Sequence, residues 1–252
     1  MFICGMPRSG SMWTFNVTRR VLEAAGYEVH SFGLQPAEAE AELSKSVAAA
    51  LFDRRPNQAY IWKTHAALRS NIPGARYITN YRDLRSATCS YMRFTRCTFE
   101  RALEATRAMM PLVDHYFTFP DEKCLKLKYD QILNAQADVV ESIAAFLGQT
   151  IDDETTDRIV TSFTRARVTE MVRGLERGPG VFVAPNLDGS DRWGDAVTGF
   201  QSGHVSETSG DCWRADLTPV QLASLEQLCG GWLERYGFVR AQRYLNRDLT
   251  LT

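Results

Sequence analysis

The chain has 252 residues, of which 44% are hydrophobic and 23% are charged. That composition is typical of a folded globular protein and argues against disordered, fibrous and membrane-spanning classes. Because 29 basic residues are offset by 30 acidic ones, no overall field favours nucleic acid or lipid, and any anion site must be local. The length falls between one and two average domains. We predict one α/β domain over residues 1–252.

The cysteines and the chain start indicate where such a protein resides. Six cysteines are scattered without a CxxC pair, as expected for separate reduced thiols rather than for a disulfide framework or a zinc site. The chain starts without a basic segment followed by an apolar one, and it lacks the ~18 consecutive apolar residues of a membrane span. We therefore expect a cytoplasmic protein with no metal site.

Strands are predicted to alternate with helices along the chain. Residues 2–5 form a short apolar strand that enters a glycine-bearing turn, and apolar residues at helical spacing then run to Gly26. This alternation predicts a parallel sheet covered on both faces. The later predicted elements are a helix from Pro36, strands at 59–63 and 76–81, helices at 84–96 and 99–118, and a strand at 123–129 before a helix closed by Gly148.

The last third of the chain changes character. Residues 178–216 are rich in Gly, Pro, Asp, Asn and Ser and show little periodicity, so we predict a long loop that is either a functional lid capping a bound substrate or a disordered segment. After it, Thr218, Pro219 and Gln221 have the spacing of a capping box with proline at the first helical position. That pattern predicts the start of a final long helix.

The segment GMPRSGSM fits the GxxxxG spacing of a phosphate-binding loop. A Walker A loop would continue with Lys and then Ser or Thr, but Ser11 and Met12 stand there, so metal-assisted ATP hydrolysis is not favoured. A loop whose N–H groups and following helix N-terminus face an anion binds phosphate without a metal. Arg8 would add a cation, and Ser9 and Ser11 would add hydroxyl donors. The alternative is that Gly10 only permits a tight turn and Arg8 is a solvated charge.

A second polar group follows the predicted strand at 76–81. Arg82 comes directly after that strand, and Ser90 lies eight residues later, close to two helical turns along the next helix. A guanidinium and a hydroxyl placed in this way can bind a second phosphate. The alternative is that Arg82 and Arg85 form the solvated start of a helix.

Together these segments resemble the sulfotransferases that use 3′-phosphoadenosine 5′-phosphosulfate (PAPS). MPRSGSMWT is similar to the family's 5′-phosphosulfate loop, commonly written PKSGTTW, and RDLRSATCSY is similar to its 3′-phosphate motif, RNxRDxxxSY. IWKTHA resembles the family's KTH segment, in which the lysine contacts the transferring group and the histidine is the general base. The resemblance covers roughly residues 3–238 and implies a P-loop-like α/β fold with a central parallel sheet flanked by helices.

The resemblance also implies roles for individual residues. His65 would be the general base, with Lys63 and Arg8 stabilising the developing charge. The C-terminal motif RKGxxGDWK is matched least well, and Arg214 or His204 would replace its missing Arg-Lys pair. The implied nucleotide contacts are Pro7, Arg8, Ser9, Gly10, Ser11, Met12, Trp13, Arg82, Ser90, Tyr129, Val168, Gly203 and Arg214, although Val168 stands where the family usually has an aromatic residue.

The predicted reaction moves a sulfuryl group from PAPS to a hydroxyl of a small-molecule acceptor, or less favourably to an amine, and leaves adenosine 3′,5′-bisphosphate (PAP). It requires no metal. Two alternatives stay open: a P-loop kinase or phosphotransferase with a degenerate loop, and a non-catalytic nucleotide-binding module. The predicted partner is the acceptor alone, without nucleic acid or a membrane span, and a homodimer is left open.

Overall fold

The computed structural model describes residues 1–33, 45, 47–50, 55–175, 178–205 and 212–241. Five strands form a sheet in the order β2-β3-β1-β4-β5, and every neighbouring pair is parallel. The predicted parallel sheet is therefore confirmed. Its strands are β1 (Phe2–Ile3), β2 (Glu28–Gly33), β3 (Gln58–Lys63), β4 (Tyr77–Tyr81) and β5 (Cys124–Lys128).

Nine helices with defined bounds surround the sheet in the described part of the chain. Residues 45 and 47–50 are also helical, in agreement with the helix predicted from Pro36, whose start lies outside the described residues. The nine are α1 (Ser11–Ala24), α2 (Leu84–Thr95), α3 (Phe99–Phe117), α4 (Tyr129–Asn134), α5 (Gln136–Leu147), α6 (Asp153–Ser162), α7 (Arg165–Arg173), α8 (Trp213–Asp216) and α9 (Pro219–Arg235).

Local signals account for several of the helix ends. At the start of α9, the Thr218 N–H donates to Gln221 Oε1 at 2.9 Å and the Gln221 N–H donates to Thr218 Oγ1 at 3.3 Å. The predicted capping box is thus formed and satisfies N–H groups that the helix itself leaves unpaired. Gly148 ends α5 with a φ of 71°, a left-handed conformation that favours glycine.

The two residues of β1 pack on opposite faces of the sheet. Phe2 lies with Trp62 and Tyr77 in an apolar cluster that α3 covers. Ile3 lies in the other main cluster, where α1 and α5 pack on the sheet. Each fully buried large apolar side chain contributes about 1.5–3 kcal/mol. The two faces together hold β1 in the centre of the sheet.

The segment predicted as an irregular capping loop contains regular structure. Residues Val181–Pro185 (β6) and Asp191–Asp195 (β7) form an antiparallel hairpin. The chain beyond it docks on α1, where Asn16 Nδ2 donates to the Thr198 carbonyl at 2.8 Å. The prediction of a loop without strands is therefore wrong for this part of 178–216. Such short strands carry a weak periodic signal, and tertiary contacts fix them.

The strand order places the candidate site. β1 pairs with β3 on one side and with β4 on the other, so successive strands are added in opposite directions from β1. In parallel sheets, ligands bind in the crevice at the carboxyl ends of the strands where the strand order reverses in this way. Lys63 ends β3, Arg82 follows β4 and Tyr129 follows β5 at this edge. Among the described helices, none meets the length and hydropathy that crossing a membrane requires.

Candidate active site

The loop between β1 and α1 is closely packed and partly strained. Gly10 has a φ of 86°, and a side chain there would place its Cβ 3.0 Å from Ile132 Cδ1, so glycine is required. Arg8 has a φ of 65°, which costs a non-glycine residue roughly 1–3 kcal/mol and is most often found at functional sites. The buried Ser9 hydroxyl donates to the Met6 carbonyl at 2.6 Å. That hydroxyl therefore holds the loop in place.

His65 is oriented by Gly5, near the start of this loop. Its Nδ1 lies 2.6 Å from the Gly5 carbonyl oxygen, and its Nε2 lies 2.9 Å from Lys63 Nζ. Because a carbonyl only accepts, Nδ1 carries the proton and Nε2 presents a lone pair. Burial and the Lys63 charge lower the pKa of His65 to about 3. The imidazole is therefore neutral at pH 7, with Nε2 able to accept a proton.

Two arginine side chains meet at the loop. Arg8 Nε donates to Ser90 Oγ at 3.0 Å, and its Nη2 donates to the His204 carbonyl at 3.1 Å. Arg82 Nη1 donates to the Arg8 carbonyl at 3.2 Å, and its guanidinium lies 4.1 Å from the centre of the Tyr129 ring. Within the described chain, these hydrogen bonds go to hydroxyl and carbonyl groups, so no carboxylate neutralises either arginine.

Burial and the neighbouring positive charges lower the pKa values of these cations. Burial, followed by the charge of Arg82, lowers the pKa of Arg8 to about 9. Burial, followed by the charge of Arg8, lowers the pKa of Lys63 to about 8. An anion placed among them would oppose both effects, because opposite charge favours the protonated form. The arrangement is that of an anion site.

Phe94 on α2 contacts both the loop and side chains from the segment after β6. The Phe94 ring lies 4.0 Å from the Arg8 guanidinium and 4.2 Å from that of Arg192, and it stacks on the His204 ring at 4.7 Å. Gly203, with a φ of 78°, precedes His204 and lies against Phe94. Sequence analysis does not predict Arg192, because it is far from the motifs along the chain and reaches the site only through the hairpin.

A cavity of 190 Å³ lies next to Arg82. Lys128, Asp130 and Arg214 also line it, and Lys128 Nζ is 3.8 Å from an Asp130 carboxylate oxygen. The structure thus brings Arg214 and Arg82 to one cavity. Lys128 is a further cation there that sequence analysis did not predict. The sequence feature that could have indicated Lys128 is its position directly before Tyr129, at the end of β5.

Arg85 differs from the interpretations that the sequence allowed. Its Nη2 and Nη1 pair with Asp83 at 2.6 Å and Glu226 at 2.7 Å, and only 2% of the side chain is exposed. It is therefore neither a solvated charge nor a free phosphate ligand. Two carboxylates neutralise it, and it ties the start of α2 to α9.

The other predicted nucleotide contacts lie around the loop. Met12 packs against Gly199, where an added Cβ would lie 2.8 Å from its Cε, so this position makes an apolar contact instead of offering a hydroxyl. Trp13 and Val168 belong to the same buried cluster. No described residue accepts a hydrogen bond from the buried Trp13 Nε1. Pro7 is half-buried and Ser11 is buried at the helix start.

Comparison with known proteins bears on this site. A family model described as the Sulfotransferase family matches residues 16–153. Comparison with curated protein sequences finds no match. Solved structures of other proteins share the fold. For mouse sulfotransferase SULT7A1 complexed with PAP, identity is 17%, the TM-score is 0.63, and 100% of this chain and 88% of that chain are covered.

For retinol dehydratase in complex with androsterone and inactive cofactor PAP, identity is 17% and the TM-score is 0.61, with coverage of 92% of this chain and 80% of that chain. For the sulfotransferase domain of the Synechococcus PCC 7002 olefin synthase, identity is 16% and the TM-score is 0.51, with coverage of 92% of this chain and 93% of that chain. At such identities the structures show the fold alone, whereas the family model covers more than half of the sequence. The chain belongs to the Sulfotransferase family.

Proposed function

We propose that this protein transfers a sulfuryl group from PAPS to a hydroxyl of a small-molecule acceptor. The observation that carries the proposal is the neutral His65, held by the Gly5 carbonyl and in contact with Lys63 at the phosphate loop. Two structures of similar fold contain PAP, the nucleotide that remains after PAPS loses its sulfuryl group. The cytoplasmic location and the single domain over residues 1–252 stay predictions.

In this proposal the 5′-phosphosulfate binds at the loop. The acceptor oxygen attacks sulfur, the bond between sulfur and the 5′-phosphate oxygen breaks, and the hydroxyl proton passes to His65 Nε2. Arg8, Lys63 and the loop N–H groups stabilise the charge that develops on the leaving phosphate oxygen. Proton transfer to a positioned base contributes about 10²- to 10⁴-fold.

Lys63 has two partners in this reaction. In the structure its Nζ covers the lone pair of His65 Nε2 at 2.9 Å. A sulfuryl anion at the loop attracts the ammonium more strongly than a neutral imidazole does. We therefore expect Lys63 to turn toward the bound nucleotide, which exposes Nε2 to the acceptor hydroxyl.

We assign the 3′-phosphate to the cationic group around Arg82. Arg82 and Ser90 face it in the proposal, and Arg214 and Lys128 contribute from the cavity beside Arg82. These two cations compensate for the Arg-Lys pair that the family motif has and this sequence lacks. Tyr129, whose ring lies under the Arg82 guanidinium, is placed next to the adenine.

The kinase alternative is less well supported. Met12 stands where a Walker A loop has a metal-binding hydroxyl, and it is packed on Gly199. A kinase would need Mg²⁺, so transfer that continues in EDTA excludes it. The non-catalytic alternative predicts PAP binding without turnover of any acceptor.

The decisive experiment compares His65→Ala with His30→Ala, a substitution on the edge strand. We expect both variants to bind PAP with similar affinity in calorimetry. With labelled PAPS and a panel of phenols, sterols and sugars, transfer by His65→Ala should fall about 10²- to 10⁴-fold while His30→Ala stays active. Full activity of His65→Ala would overturn the assignment of the base. PAP binding with no transfer by the unmodified protein would favour the non-catalytic module.

A further inference from the structure

Two cysteines that are far apart in sequence meet beside the candidate site. The Sγ atoms of Cys89 and Cys212 and a carboxylate oxygen of Asp216 lie within 4.8 Å of one another. Cys89 is 1% exposed and Cys212 is 4% exposed. Cys89 lies on α2 directly before Ser90, and Cys212 directly precedes α8. Sequence analysis predicted separate thiols, but these two are neighbours in the structure.

The charges around the pair make its two thiols unequal. The Cys89 thiol lies within 4.8 Å of Cys212 Sγ, and Arg93 Nη2 donates to Cys212 Sγ at 3.2 Å. The neighbouring Cys89 thiol and the Arg93 guanidinium lower the pKa of Cys212 against the opposing effect of burial, whereas the proximity of Cys212, followed by burial, raises the pKa of Cys89. Cys212 is therefore the sulfur that ionises first, and Cys89 keeps its proton.

Arg93 also decides between oxidation and metal binding. Its guanidinium pairs with Asp216 as well as with Cys212. A divalent cation held by Cys89, Cys212 and Asp216 would sit against this positive charge. A guanidinium beside a thiolate instead favours attack of that thiolate on an electrophile.

We propose that Cys89 and Cys212 form a reversible disulfide when the protein meets hydrogen peroxide, and that this disulfide weakens nucleotide binding. The Cys212 thiolate attacks one peroxide oxygen, the O–O bond breaks, and a sulfenic acid and one water form after proton uptake. The Cys89 sulfur then attacks the Cys212 sulfur, and its proton leaves with the departing hydroxide as a second water. Two thiols lose two electrons in total, and one peroxide is reduced to two waters.

The coupling to the nucleotide follows from the neighbours of the two cysteines and rests on the proposed function. Ser90, next to Cys89, accepts from Arg8 Nε at 3.0 Å. Arg214, two residues after Cys212, lines the cavity beside Arg82. Bringing the two sulfur atoms to bonding distance breaks the Arg93 contact with Cys212 and shifts α2 against α8. The groups assigned to the 3′-phosphate then lose their alignment.

The experiment treats the whole protein with hydrogen peroxide, alkylates the remaining thiols and maps the peptides by mass spectrometry. We expect a linked pair of peptides containing Cys89 and Cys212, two hydrogens lighter than the separate thiols and released by dithiothreitol. Cys229→Ser, which removes another buried thiol, should form the same link, and Cys212→Ser should not. If Cys212→Ser does not fold, the oxidised and re-reduced unmodified protein carries the test.

Calorimetry with PAP then measures the coupling. Oxidation should weaken binding at least about tenfold, which corresponds to the loss of one charge-assisted contact, and dithiothreitol should restore it. Thiols that stay free, or a link between other cysteines, would overturn the disulfide. A Cys89–Cys212 link without a change in affinity would overturn the coupling. Reduced protein that does not bind PAP contradicts the proposed function and leaves the disulfide result intact.

Discussion

Two arginine environments lie close together in this protein and differ in what neutralises them. Arg85, at the start of α2, pairs with the carboxylates of Asp83 and Glu226. Arg8 and Arg82, at the loop, contact hydroxyl, carbonyl and aromatic groups instead. In the first environment two carboxylates neutralise the arginine, and these ion pairs hold two helices together. The second leaves positive charge available, and that difference separates a structural arginine from one that can bind an anion.

The largest effect is expected from Arg85→Met. This substitution leaves two carboxylates at a site where the arginine is 2% exposed, and breaking a buried pair in this way costs about 3–5 kcal/mol. Urea unfolding should therefore show a lower midpoint. As a control, Arg101→Met removes an exposed pair with Glu104 and should change stability by no more than about 1 kcal/mol. Equal effects of the two substitutions would contradict the structural role of Arg85.

A smaller effect is expected from Arg82→Met, and it should fall on nucleotide binding instead of stability. Its guanidinium has no carboxylate partner among the described residues, so the midpoint of unfolding should change little. PAP affinity should fall by about 10- to 150-fold, since a hydrogen bond to a charged group is worth roughly 1.5–3 kcal/mol. Calorimetry measures the affinity, and Arg20→Met on the exposed side of α1 is the control. Unchanged affinity would remove Arg82 from the 3′-phosphate site.

The smallest effect is a proton taken up on binding. Burial and Arg8 lower the pKa of Lys63 to about 8, so about half of the lysines are neutral at pH 8 in the free protein. A bound anion raises this pKa, and PAP binding should then take up about half a proton from the buffer. Calorimetry in buffers of different ionisation enthalpy measures the uptake.

Lys63→Met is the matched variant for that measurement, because it removes the titrating group without changing the loop sequence. The uptake should fall in this variant. An uptake equal to that of the unmodified protein would show that Lys63 does not face the anion.

Much of the fold was predictable, because it depends on local patterns. Apolar strands at 59–63 and 76–81 and the capping box at Thr218 are confirmed by β3, β4 and α9. β2 was not predicted, because it is an edge strand in which polar His30 and Ser31 interrupt the apolar pattern. The β6–β7 hairpin was missed because its short strands depend on tertiary contacts.

The site was predictable where the motifs are contiguous. Loop residues 5–12 and the strand ends at Lys63 and Arg82 reach one edge because parallel strands end on the same side of a sheet. The role of Arg85 could not be predicted, since its second carboxylate comes from Glu226, 141 residues away. The same holds for Arg192 and for the meeting of Cys89 with Cys212.

The near balance of charge over 252 residues already required any anion site to be local. The motifs of the sequence by themselves indicated the family and the order of strand, loop and helix. Only the tertiary structure decided which cations stay unneutralised and which cysteines touch. The physical reason is that hydrophobic periodicity and capping act within a few residues along the chain. Charge neutralisation and thiol pairing depend instead on groups that folding brings together from distant segments.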